Sequence, residues 1–189
     1  MSAKPKVATV WLESCAGCHM SFLDIDERIV DLLSQVELTA SPVSDIKDIP
    51  EVTLGIIDGG IGNDEELHIA RELRKKSKVL MVMGDCAVFG GINTMRNFLT
   101  PEQVLKGAYA DGATVTTLNP SGKLPGETGE PGQSVPRLLP QANAVDRHVK
   151  VDVYVPGCPP DADAIYYALS EILAGRVPVK IPPDMMRYD

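Results

Sequence analysis

Apolar runs of strand length alternate with helically patterned segments through the first half of the chain, and that alternation limits the fold more than any other feature. KVATVWL (6–12) precedes HMSFLDIDERIVDLLSQ (19–35), where Met20, Leu23, Ile29, Val30 and Leu33, with Val36 just beyond, recur near helical spacing. VELTASPV (36–43) and VTLGIIDGG (52–60) read as strands, NDEELHIARELRKKS (63–77) as a helix and KVLMVMG (78–84) as a buried strand. A series of this kind builds a parallel sheet covered on both faces by helices, an α/β doubly wound arrangement. Its ligands sit at the carboxyl ends of the strands, near a switch in strand order.

The second half is less regular. A short helix is predicted over TPEQVLKGAYA (100–110). Residues 111–148 are then crowded with Gly and Pro, which predicts a long irregular excursion, of the kind that often forms a binding surface, with a disordered linker as the alternative. KVDVYVPG (150–157) reads as a further strand, DADAIYYALSEILAG (161–175) as a helix stopped by Gly175, and 176–189 as a Pro-rich tail. The expectation is one domain over 1–189.

Composition removes several function classes. A formal charge of −8 disfavours nucleic-acid binding, and the one dense basic run, RELRKKSK (71–78), reads as the solvated end of a helix. The start, MSAKPKVATVW, has neither a signal-peptide apolar core nor a twin arginine, and no run approaches a membrane span, so the expected location is cytoplasmic. In a reducing compartment the four cysteines point to metal or redox chemistry rather than to disulfides.

Those cysteines follow predicted strands. Cys15 and Cys18 lie in LESCAGCHMS after the first strand, Cys86 in MVMGDCAVFGG and Cys158 in VYVPGCPPD. If the strands are parallel, all four leave the same edge of one sheet. Such a set can hold a 4Fe-4S cube, with the flanking Gly and Pro residues letting backbone N–H groups approach its sulfurs. A thioredoxin-like C-x-x-C pair would leave Cys86 and Cys158 without a role. A four-cysteine zinc site usually draws on two close pairs, and only one pair here is close.

Taken together, C-A-G-C-H-M-S-F-L at 15–23, G-D-C-A-V-F-G-G at 84–91 and P-G-C-P-P at 156–160 resemble the small, cluster-bearing subunit of nickel-iron hydrogenases. The match is nearest to the short cytoplasmic form of bidirectional NAD-reducing enzymes, and it covers most of residues 6–175. The related quinone-reductase subunit of complex I has adjacent cysteines in its first motif, whereas Ala16 and Gly17 separate them here. The resemblance implies a flavodoxin-like fold in which Cys15, Cys18, Cys86 and Cys158 ligate one proximal 4Fe-4S cluster. That cluster would face a nickel-iron large subunit and pass electrons toward diaphorase subunits that carry flavin and iron-sulfur clusters. Equivalent subunits of hydrogenases with other acceptors, or of complex I-like assemblies, are the neighbouring expectation, and a zinc-stapled scaffold the distant one.

Other residues near the motifs carry lesser expectations. Glu13 is a candidate proton relay or an ordinary loop carboxylate, and His19 a donor to a cluster sulfur or a first-turn residue with no duty. Asp85 braces a Gly-rich turn, while Gly17, Gly84, Gly90 and Gly157 serve backbone geometry. FMN is not expected, because ESCAGCHMS fills the loop that would cradle its phosphate. GGIGNDEE (59–66) reads as a tight turn with Asn63 or Asp64 capping the next helix. Val88, Phe89, Met20 and Phe22 are expected to form an apolar edge that a partner must cover.

Overall fold

The computed structural model describes residues 4–46, 48–111 and 135–186. In chain order the elements are β1 Lys6–Trp11, α1 Gly17–Leu23, α2 Arg28–Gln35, β2 Glu37–Ala40, β3 Val52–Asp58, β4 Ile61–Asn63, α3 Asp64–Lys76 and β5 Ser77–Met83. They continue with α4 Asp85–Phe89, a 3₁₀ helix Gly91–Phe98, α5 Pro101–Tyr109, β6 Leu138–Asn143, a 3₁₀ turn Val145–Arg147, β7 Val153–Val155, α6 Ala162–Leu173 and a 3₁₀ turn Pro183–Met185. Among the described residues no helix is long and apolar enough to cross a membrane.

Five strands form one sheet in the order β2-β1-β3-β5-β7, with every neighbouring pair parallel. This is the flavodoxin-like order, in which the chain steps outward on one side of the first strand and then on the other. The reversal falls between β1 and β3. Register places Trp11 opposite Asp58, Asp58 opposite Met83, and Met83 opposite Val155. Four strands therefore end in one row, and the loops that follow them start side by side.

Alternate residues of each strand feed two cores. Leu54, Ile56, Met81, Met83, Val153 and Val155 pack with Ile25, Leu32, Ile165 and Leu169 from the α1, α2 and α6 side. Ile57, Leu80 and Val82 pack with Ala70, Leu73, Ala87 and Val88 from α3 and α4 on the other. Burial on both faces explains why the strands read as continuous apolar runs.

The helix predicted over 19–35 is two helices. Asp24 ends α1, its N–H donating to Met20 O, and Asp26 takes a left-handed φ of 59°, which a short polar side chain tolerates. Between them Ile25 is fully buried and anchors the corner.

The excursion predicted over 111–148 is also corrected in part. Residues 112–134 lie outside the described residues, but β6 is an ordered strand that pairs antiparallel with β4, Ile61 opposite Asn143 and Asn63 opposite Leu138. Asn97 fixes it by donating to Ala142 O at 2.8 Å and accepting from Ala142 N at 2.7 Å. The Pro-rich tail, described to residue 186, lays Val179, Ile181 and Met185 against the core.

The start of α3 is as expected. Asn63 accepts from Glu66 N, and the Glu66 carboxylate accepts from Asn63 N and from Gly62 N, a complete capping box.

Candidate functional site

The carboxyl edge of the sheet gathers the three cysteine motifs. The first pair straddles the turn between β1 and α1: Cys15 is exposed in the loop and Cys18 is buried on the helix. Ala16, between them, has a left-handed φ of 64°, and its N–H donates to Ser14 Oγ at 3.0 Å. A non-glycine residue held there marks a turn fixed by its surroundings. Cys86 is buried in the first turn of α4, and Cys158 is exposed in the loop after β7.

Hydrogen bonds lace these loops together. Gly84 N donates to Val155 O at 2.8 Å, Asp85 N to Gly157 O at 2.9 Å, and Gly157 N to Asp85 Oδ1 at 2.8 Å. The Cys86 and Cys158 turns are thus joined directly, and Asp85 braces both. Ser21 Oγ donates to Pro160 O at 2.5 Å, tying α1 to the Cys158 loop. Asn93 donates to Glu13 O, and Glu13 exchanges backbone bonds with Gly60, which ties the Cys15 loop to the segments after Cys86 and β3.

Gly84 is required twice over. Its φ of 87° with ψ of 152° suits glycine, and a Cβ there would collide with Cys18 Sγ. Gly17 stands at the first position of α1, where a Cβ would lie 3.3 Å from Cys15 Sγ. Gly90 ends α4 and Gly157 carries the turn before Cys158, both with positive φ.

The thiols influence one another. Burial pushes the Cys18 thiol well up, and Asp58, which accepts its hydrogen bond, acts in the same direction, as do Cys15 and Cys86. Burial also raises Cys86; the Ile92 amide, which donates to it, opposes this, while Cys158, Cys15 and Asp58 add to it. A bound metal supplies the positive charge with which such thiols ionise. Among the described residues no group of three or more His, Cys, Asp or Glu side chains closes on a single ion. Four thiols along one edge are a donor set that can hold a metal centre.

His19 is buried, and its Nδ1 bonds Asp58 Oδ2 at 3.0 Å rather than any sulfur. Trp11 meets its ring edge-on at 5.4 Å. Asp58 is absent from the sequence-based set, although a carboxylate closing an otherwise apolar strand, VTLGIID, is a usable signal.

Glu13 is half-buried, with Arg96 Nε 3.7 Å from its Oε1 and its Oε2 buried without a hydrogen bond. Burial raises its pKa and the Arg96 guanidinium opposes the rise. Of the expected apolar edge, Phe89 and Met20 are exposed, but Val88 is buried in the second core and Phe22 packs on the first.

Comparison with known proteins adds a lineage to this geometry. Residues 15–172 match the family described as NADH ubiquinone oxidoreductase, 20 Kd subunit. The delta subunit of the NAD-reducing hydrogenase HoxS from Cupriavidus necator is 38% identical, covering 98% of this chain and 86% of its own. A subunit of the F420-non-reducing hydrogenase from Methanothermobacter thermautotrophicus is 39% identical over 93% of this chain, but the match spans only 56% of that protein. One polypeptide in the crystal structure of an NAD+-reducing [NiFe]-hydrogenase in its H2-reduced state superposes with a TM-score of 0.88 at 35% identity, covering 98% of this chain and 99% of the other.

Proposed function

Because the chain belongs to the NADH ubiquinone oxidoreductase 20 Kd subunit family, within its hydrogenase small subunits, we propose that it is the electron-transfer subunit of an NAD-reducing nickel-iron hydrogenase. In this reading Cys15, Cys18, Cys86 and Cys158 hold one 4Fe-4S cluster. The observation that carries it is the convergence of four free cysteines from three separate loops on one sheet edge. When bound, such a cluster supplies one-electron redox chemistry whose potential follows charge, hydrogen bonds and solvent exposure.

The chain's own part is to place and insulate that group. Cys18 and Cys86 fix it from the buried side, the exposed Cys15 and Cys158 leave it open toward a partner, and the Ile92 amide donates to the Cys86 sulfur. The partner is a nickel-iron large subunit, and electrons leave toward diaphorase subunits with flavin and iron-sulfur clusters. Glu13, a half-buried carboxyl at the same edge with Arg96 Nε 3.7 Å from its Oε1, is placed to serve as the proton relay in this reading.

A second exposed feature supports an obligate partner. Ile92, Met95 and Phe98 are 70%, 65% and 90% exposed, and their spacing of three residues lines them up along the 3₁₀ helix. Phe89, 64% exposed, continues the spacing from α4. The other side of that helix is polar and faces inward: Asn93 bonds Glu13 O, Arg96 bonds Gly62 O, and Asn97 clamps β6. An outward apolar ridge held by inward polar anchors favours a covered surface over a solvated one.

Replacing Cys158 by Ser in the assembled enzyme tests the reading. Iron and sulfide should fall from about four each per chain, and hydrogen-dependent NAD reduction should disappear while NADH-dye activity of the diaphorase persists. Retained hydrogen-dependent activity, or about one zinc and no sulfide on the unaltered chain, would defeat it.

A further inference from the structure

Asp58 ends β3 in the row of strand termini, 1% exposed, and accepts from a histidine that is itself 4% exposed and directly follows Cys18 in sequence. The capping, bracing and strand pairing of this edge use other groups, and a buried carboxylate costs free energy unless it is fully compensated. His19 Nδ1 donates to Oδ2, and the far ring nitrogen of that histidine, Nε2, is buried without a hydrogen bond. The carboxylate also lies against the Cys18 thiol and acts on the Cys86 thiol.

We infer that Asp58, restrained by His19, sets the reduction potential of the group that Cys18 and Cys86 hold. The inference rests on the cluster reading above. Both residues are positioning residues, since neither ligates the cluster in that reading. Reduction adds one electron to the cluster, and no bond in this chain forms or breaks. An electron added beside a buried carboxylate is repelled, and the repulsion is strong because little water screens it. Asp58 therefore holds the potential down, and the imidazole N–H that draws on the same carboxylate softens the effect. The two side chains pull in opposite directions, and His19 acts through Asp58.

That arrangement predicts a coupled set of shifts. In the holoenzyme purified without oxygen, with iron and sulfide counted, the cluster is titrated potentiometrically and followed by its electron paramagnetic resonance. Asp58→Asn keeps the shape and removes the charge; its reduction constant should rise at least tenfold, equivalent to about 59 mV for one electron. His19→Phe keeps the packing on Trp11 and removes the donor, so its constant should fall. His19→Asn returns a donor near the Nδ1 position and should restore the unaltered value. The double variant Asp58→Asn with His19→Phe should titrate with Asp58→Asn alone, since the histidine has lost its target.

Reduction constants that coincide within a factor of two across full-iron variants would overturn the inference and leave the cluster reading standing. An unaltered holoenzyme without iron and sulfide on this chain would overturn both, and the metal count tells the two failures apart. If Asp58→Asn loses its iron, the His19→Phe and His19→Asn pair decides alone: equal midpoints overturn the inference, and a His19→Phe midpoint below an unshifted His19→Asn midpoint supports it.

Discussion

Asp85 and Gly157 hold each other by reciprocal bonds, Asp85 N to Gly157 O at 2.9 Å and Gly157 N to Asp85 Oδ1 at 2.8 Å. This pair joins the turn that carries Cys86 to the turn that carries Cys158. Asp85→Ala leaves an amide without its charged acceptor and should lower stability by about 2 kcal/mol, read from the urea midpoint at unchanged slope. Asp85→Asn keeps an oxygen acceptor and should lose about half as much. Equal losses in both would mean that charge, not geometry, is what the turn needs.

Two glycines separate backbone strain from contact with sulfur. Gly84 and Gly175 both have positive φ, but a Cβ on Gly84 would strike Cys18 Sγ, whereas one on Gly175 has nothing within 4 Å. Gly175→Ala should cost about 1 kcal/mol of backbone strain and leave the iron content unchanged. Gly84→Ala should cost about 3 kcal/mol and lower the iron content as well. Thermal unfolding and metal analysis of both proteins check this.

The opposite edge of the sheet offers a pH test that does not involve the thiols. Burial alone would raise the Asp152 pKa, but the Leu80 amide at 2.9 Å, the Arg74 guanidinium at 2.5 Å and Lys150 lower it on balance. A carboxyl lowered in the folded state adds stability that is fully present above its unfolded value, about 3.9. That stability is lost as pH falls through the folded value. Asp152→Asn should therefore be less stable than the unaltered protein by about 2 kcal/mol at pH 7. The gap should close progressively below about pH 4, as followed by urea titrations at a series of pH values.

The apolar ridge gives a test of assembly that spares the fold. Phe98 is 90% exposed, so Phe98→Asp should change the stability of the chain by no more than about 0.5 kcal/mol. It should also reduce recovery of partner subunits in a pull-down at least tenfold. Undiminished recovery would remove the ridge from the interface.

The parallel sheet is legible in the sequence because burial on both faces leaves unbroken apolar strands, and the same runs place all four cysteines at strand ends. Asn63 is legible as a cap, and it closes a capping box with Glu66. The break at Asp24–Glu27 is hidden because the apolar positions continue at helical spacing through a corner that Ile25 anchors from within. The β4–β6 ribbon is hidden because Asn97, far away in sequence, supplies the bonds that a Pro-containing LLPQAN segment lacks alternation to announce. The 3₁₀ helix reverses the usual rule that polar residues face out, so its pattern gives no warning. Asp58 escapes notice because its partners, His19 and Cys18, meet it only across the sheet.

Strand order has a consequence for biogenesis. The sheet edge that unites the cysteines exists only when β7, the last strand of the sheet to leave the ribosome, has docked beside β5. Until then a nascent chain exposes at most three thiols, on loops whose braces Gly157 and Pro160 have yet to arrive. In the proposed reading, folding of the whole sheet is thereby a checkpoint for metal loading, since a chain stalled before β7 lacks the fourth thiol.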